Sequence, residues 1–153
     1  MADLRSIAAS CGFENPRTYV QSGNLVVDTD TAPDGVAAAL EAAIAEHTAI
    51  SPAIIARSDG ELRSVVAGNP YLGRTDDPTK LHVLFHRESI GALGLDEGEF
   101  LPEELTASGR ELYLYLPNGL GRSVLAQALG KRRPAPVATA RNWRTVLAVA
   151  DLL

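Results

Sequence analysis

Residues 80–87, KLHVLFHR, decide how the chain is read. Leu81, Val83 and Phe85 alternate with His82, Leu84 and His86, the spacing of a strand whose side chains point to opposite faces. The polar run GRTDDPT at 73–79 precedes it and is the best candidate for a subdomain boundary. Downstream, a short helical turn is expected over Ser89–Leu95. Paired strands are expected over Phe100–Thr106 and Glu111–Leu116, around Ala107-Ser108-Gly109-Arg110. A helix over about Gly121–Gly130, an extended piece over Val137–Thr139 and a last helix over Asn142–Leu153 complete this half. The order β-α-β-β-α-β is that of a split βαβ, ferredoxin-like unit.

Working back from the boundary, Leu4, Ile7, Ala8 and Cys11 have helical spacing over Asp3–Cys11, and Gly12 stands where a glycine ends a helix. The stretch RTYVQSGNLVVDTD, residues 17–30, reads as strands Arg17–Gln21 and Leu25–Asp28 around a Ser-Gly-Asn turn. Pro33–His47 is a helix with Val36, Leu40 and Ile44 on one face and Asp30 or Thr31 as N-cap. Pro52–Arg57 is expected as a short strand, and Asp59–Ala67 as a helix closed by Gly68-Asn69-Pro70. The front half thus has the same order with its first strand absent. The fold class expected is α+β: two tandem ferredoxin-like units, residues 1–75 and 76–153, the first lacking its N-terminal strand. The halves share no sequence similarity, so the repeat is one of topology.

With 153 residues and 46% hydrophobic content, the chain has the composition of an ordinary globular protein. Cys11 is the only cysteine, which excludes an intrachain disulfide and a cysteine-rich zinc site. No apolar run approaches the roughly 18 residues of a membrane span, and MADLRSIAAS lacks the regions of a signal peptide. A reducing cytoplasm is the expected compartment. The net charge of −5 conceals a gradient. Residues 1–111 carry 8 basic and 18 acidic residues, whereas 112–150 carry six basic and none acidic. Such segregation marks either an anion-binding face or a set of helix-capping and solvated arginines.

Three segments carry a family resemblance: CGFENPRTYVQSGNLVV at 11–27, PNGLGRS at 117–123 and TARNWRTV at 139–146. In order and over essentially the whole chain, these resemble the bacterial family called domain of unknown function 1697 (DUF1697). Its members begin upstream, with an apolar strand leading into a loop reading like Leu-Arg-Gly-Ile-Asn-Val-Gly-Gly. On this resemblance Met1 falls at the start of the family's first helix. The first strand of a ferredoxin-like sheet is central, so its absence would leave backbone groups of two strands facing an empty slot. A natural start upstream of Met1 is the reading adopted. Another segment or a second copy of the chain (a homo-oligomer) filling the slot, and a looser first half, are the alternatives. The family brings no established biochemical function.

Candidate site residues fall in three places. Gln21, Ser22 and Asn24 form a polar cluster at the hairpin tip, which the resemblance would bring near the family's glycine loop; turn chemistry alone is the plainer account. Ser22 lacks both a G-x-S-x-G context and an activating histidine. The run 115–123 reads as a strand, a glycine loop and a helix start, the geometry that holds phosphate or carboxylate. Asn118, Gly119, Gly121, Arg122 and Ser123 are its candidates, although neither a Walker nor a dinucleotide spacing is present. Arg141 and Arg144 would join Arg122 if the last helix docks nearby, with Asn142 as N-cap and Trp143 packed inward. His82 and His86 stand roughly 13 Å apart on an extended strand, too far for one metal. Glu103-Glu104 and Asp76-Asp77 read as solvated charge pairs.

The function expected is a non-catalytic binding module for a small anionic ligand, a nucleotide or phosphorylated metabolite. The alternatives are a nucleic-acid binder and an enzyme of unknown reaction. Tyr113 and Tyr115 share a strand face as base-stacking candidates, but the acidic charge and the lack of an RNP-like motif count against nucleic acid. No nucleophile–base pair or metal set can be assembled, and no cofactor or membrane contact is expected.

Overall fold

The computed structural model describes residues 2–20 and 23–153. It shows an α+β protein whose residues gather into two compact units, Met1–Ser64 with Leu147–Leu153, and Val65–Val146.

In the first unit, helix α1 (Ala2–Ser10) leads to an antiparallel hairpin of β1 (Glu14–Tyr19) and β2 (Asn24–Asp28), followed by helix α2 (Pro33–His47). Gly12 ends α1 at φ +85°, its N–H bonded to Ala9 O and that of Phe13 to Ala8 O. This paired closure satisfies two carbonyls that a helix end leaves open. It also delivers Phe13 into a core with Ala8, Val36 and Leu40, against which Cys11 and Ile54 pack. The hairpin register slips between Glu14 and Arg17, where Asn15 has φ +47°. Asp28 secures that bulge through Arg17 Nη2 at 2.9 Å and Asn15 Nδ2 at 2.8 Å. Helix α2 starts with Pro33 behind Ala32, which makes no side-chain cap, so neither Asp30 nor Thr31 has the expected capping role.

Pro52–Arg57 forms no strand. The Ile54 N–H donates to Glu41 Oε1 of α2 at 2.6 Å instead of joining a backbone ladder. Helix α3 (Asp59–Gly68) follows and ends in the second unit.

The second unit is built on a four-stranded antiparallel sheet: β3 (Leu81–His86), β4 (Glu104–Ser108), β5 (Glu111–Tyr115) and β6 (Ala138–Asn142). The strands lie in the order β4-β5-β3-β6, so 81–86 and 111–115 are neighbours in one sheet, with Leu84 opposite Leu112 and Ala140. This is the strand order of the split βαβ arrangement. The crossover from β3 to β4 has no α-helix, however. Ser89–Leu95 forms no helical turn, and a 3₁₀ turn at Glu97–Phe100 takes its place, with Asp96 accepting from Gly98 N–H. Gly91 and Gly94, the latter at φ +66°, weaken helix formation there, so Ile90, Leu93, Leu95 and Phe100 reach the core from an irregular strap. Helix α4 (Val124–Gly130) connects β5 to β6, and α5 (Trp143–Ala150) begins with Asn142 Oδ1 accepting from Thr145 N–H at 2.9 Å.

Both faces of this sheet are occupied. On one, Leu105, Leu112 and Leu114 meet Leu125 and Leu129 of α4. On the other, Tyr113 Oη donates to Val65 O, Tyr71 bonds Thr106 at 2.7 Å, and Tyr71 stacks on Tyr115. Arg74 lies over the Tyr115 ring and pairs with Glu104.

Candidate functional site

The glycine loop after β5 is where the sequence places an anion cradle. Gly119 turns at φ +82°, a 3₁₀ turn covers Leu120–Arg122, and α4 starts only at Val124. Ser123 is fully buried and its Oγ accepts from Ala126 N–H at 2.9 Å, so it serves as the N-cap. The next free N–H, that of Leu125, is bound by Glu103 Oε1 at 3.1 Å. The protein's own carboxylate therefore lies against the end of the helix where an external anion would bind. Glu103 is buried and Glu104 is half-buried in its pair with Arg74, which corrects the reading of both as solvated charges. A Glu-Glu pair beside a strand looks like surface in sequence. Its partner sits 22 residues downstream and is a backbone amide, which no side-chain motif marks.

Asn118, Gly121 and Arg122 are exposed on this loop. The ends of β5 and β6 flank the start of β3, and Lys80 Nζ comes within 4.0 Å of where a Gly119 Cβ would stand. The Lys80 and Arg144 charges also act on Asp77, whose pKa is held down chiefly by Thr79 hydrogen bonds. The loop and Arg144 thus share one end of the sheet. Arg141 is spent locally: its Nη1 donates to Thr139 Oγ1 and Ala140 O, and burial lowers its pKa. Asn24 Nδ2 donates to Tyr19 O at 3.0 Å and closes the hairpin; Gln21 and Ser22 lie outside the described residues.

Under the helix that follows this loop lies a feature that no motif announced, lined in part by Leu120 of the loop itself. A pocket of about 350 Å³ opens between β3, β5, β6 and α4, floored by Leu84, Leu112, Leu114 and Leu129. Its origin is a mismatch of side-chain size. The register sets Ala140 opposite Leu84 and Ala138 opposite His86, while α4 presents Ala126 and stops at Gly130. Methyl groups face long side chains across the layer, and the seven-residue helix is too short to cover the space.

Two polar side chains line this pocket, His86 and Arg132. The buried His86 ring has Nδ1 3.3 Å from Leu84 O. Arg133 Nη1 donates to Gly130 O and Arg132 O, closing the end of α4 beside the pocket. Arg132 is half-buried and makes no ion pair among the described residues. No acidic side chain lines the pocket. In sequence, KRRP reads as a charge run. Its middle residue becomes a pocket residue only when β6 pairs with β3.

Comparisons with known proteins place the chain. In structure it is similar to the conserved bacterial protein SP0830 from Streptococcus pneumoniae, with a TM-score of 0.74, 20% identity, and coverage of 100% of this chain and 88% of that one. At that identity the likeness concerns the fold alone. No curated protein matches the sequence. A family model described as "Protein of unknown function (DUF1697)" matches residues 1–113, about three quarters of the chain. The protein therefore belongs to the DUF1697 family of proteins of unknown function.

Proposed function

We propose that the protein is a non-catalytic binding module for a small anionic ligand, and that the ligand occupies the pocket beside α4. One observation carries this reading: a largely apolar pocket with Arg132 in its lining and, among the described residues, no carboxylate in that lining or in an ion pair with Arg132. Few convergent polar groups in an apolar hollow is the pattern of small-molecule sites. The run of six basic and no acidic residues over 112–150 adds a favourable field at this part of the chain. The single cysteine fits a protein working in the reducing cytoplasm. We read the framework as two ferredoxin-like units, the second presenting the pocket on the helix face of its sheet.

A second reading keeps the anion at the loop of Asn118, Gly119, Gly121, Arg122 and Ser123, and is favoured by Lys80 lying beside Gly119. One experiment separates the two. Thermal unfolding is followed with a panel of small carboxylates and phosphates, for the wild type, Arg132→Ala and Arg122→Ala. The pocket reading expects saturable stabilisation that Arg132→Ala removes and Arg122→Ala leaves intact. The reverse pattern moves the site to the loop, and no stabilisation by any anion defeats the proposal.

A further inference from the structure

We infer that the ligand of this pocket is a monocarboxylate with a compact apolar body. The inference rests on the binding-module reading and narrows it to one chemical class. The lining decides it. Leucines, alanines and Pro136 supply the walls, and no Ser, Thr, Asn or Gln side chain is among them. A nucleotide or sugar phosphate would bring several base edges or hydroxyl groups into a site where His86 is the one polar side chain besides Arg132, and each buried unpaired polar group weakens binding.

Charge points the same way. Arg132 supplies one full positive charge, and its planar fork matches the two oxygens of a carboxylate. A phosphate monoester approaches two negative charges at neutral pH, and the second would have no arginine or lysine in the lining besides Arg132, since Arg133 lies beside the pocket and is bonded to the Gly130 and Arg132 carbonyls. Size sets the last limit. A volume of about 350 Å³ is at the small end of ligand sites, which suits a phenyl ring or a short branched or linear chain. The carboxylate sits at Arg132, and the body lies against Leu84, Leu112, Leu114 and Leu129.

Isothermal titration of the full chain tests this with 3-phenylpropionate, hexanoate, 3-phenylpropanol and adenosine monophosphate. The expected result is one-site binding of the carboxylates, about tenfold weaker binding of the alcohol, and none of the nucleotide. Arg132→Ala should bring the carboxylates down to the level of the alcohol, and Arg132→Lys should restore part of the loss. Ala138→Trp, at an exposed lining position, should fill the hollow and abolish binding of the carboxylates and the alcohol while the protein stays folded. Tighter binding of the nucleotide than of the carboxylates overturns the inference and leaves the binding module standing. Carboxylate affinity unchanged in Arg132→Ala overturns the assignment of the anchor. Failure of every anion to bind removes both.

Discussion

At the residue scale, two buried polar groups do work that their neighbours in sequence do not reveal. Glu103 holds the Leu125 N–H, and its Oε2 has no hydrogen-bond partner among the described residues. Glu103→Ala should cost about 1–3 kcal/mol in urea unfolding, because it orphans a buried amide. Glu103→Gln keeps an accepting oxygen and should cost clearly less; equal losses in the two variants would contradict the capping role. His82 is buried, its Nδ1 has no hydrogen-bond partner among the described residues, and desolvation holds its pKa below the usual histidine value. The unfolded chain therefore takes up this proton at a higher pH than the folded one does. The resulting stability is complete above about pH 6.5 and declines as the pH falls through that value toward the folded pKa. Urea midpoints between pH 7.5 and 5.5 should drop less for His82→Leu than for the wild type, and parallel drops would rule this out.

At the element scale, what could be read in the chain was local, and what could not was relational. Helix α2 lies at Pro33–His47 as its spacing indicates, since a four-residue apolar stripe needs only one neighbour to bury it. The closure of α1 was equally visible in Gly12. Gly12→Ala should cost about 1–2 kcal/mol, because the +85° turn strains any Cβ although nothing crowds the space; calorimetric unfolding measures it, and no loss would refute the backbone account. Pro52–Arg57 has the composition of a strand but forms none, and its Ile54 amide binds Glu41. The segment 89–95 has the apolar residues for a helical turn, yet Gly91 and Gly94 and the pull of the core leave it irregular. The strand order of the second sheet followed from chain order and hairpin length. The pocket did not. It depends on which small residue faces which large one once β6 pairs with β3.

At the scale of the whole molecule, the charge gradient resolves into individual roles. Arg133 closes α4, Arg141 is bound to its own strand, the Arg144 charge acts on Asp77, and Arg132 lines the pocket without an ion pair among the described residues. Tyr113 and Tyr115 are engaged within the second unit, one by the Val65 carbonyl and the other by Tyr71 and Arg74. A surface that holds its aromatics in this way offers them poorly to bases, whereas the pocket offers apolar wall and one cation. The most direct measurement is amide chemical-shift mapping of the full chain titrated with 3-phenylpropionate. The account predicts saturable shifts at Leu84, His86, Leu112, Leu129 and Arg132. Shifts confined to Asn118, Gly119, Arg122 and Ser123, or none at saturating ligand, would contradict it.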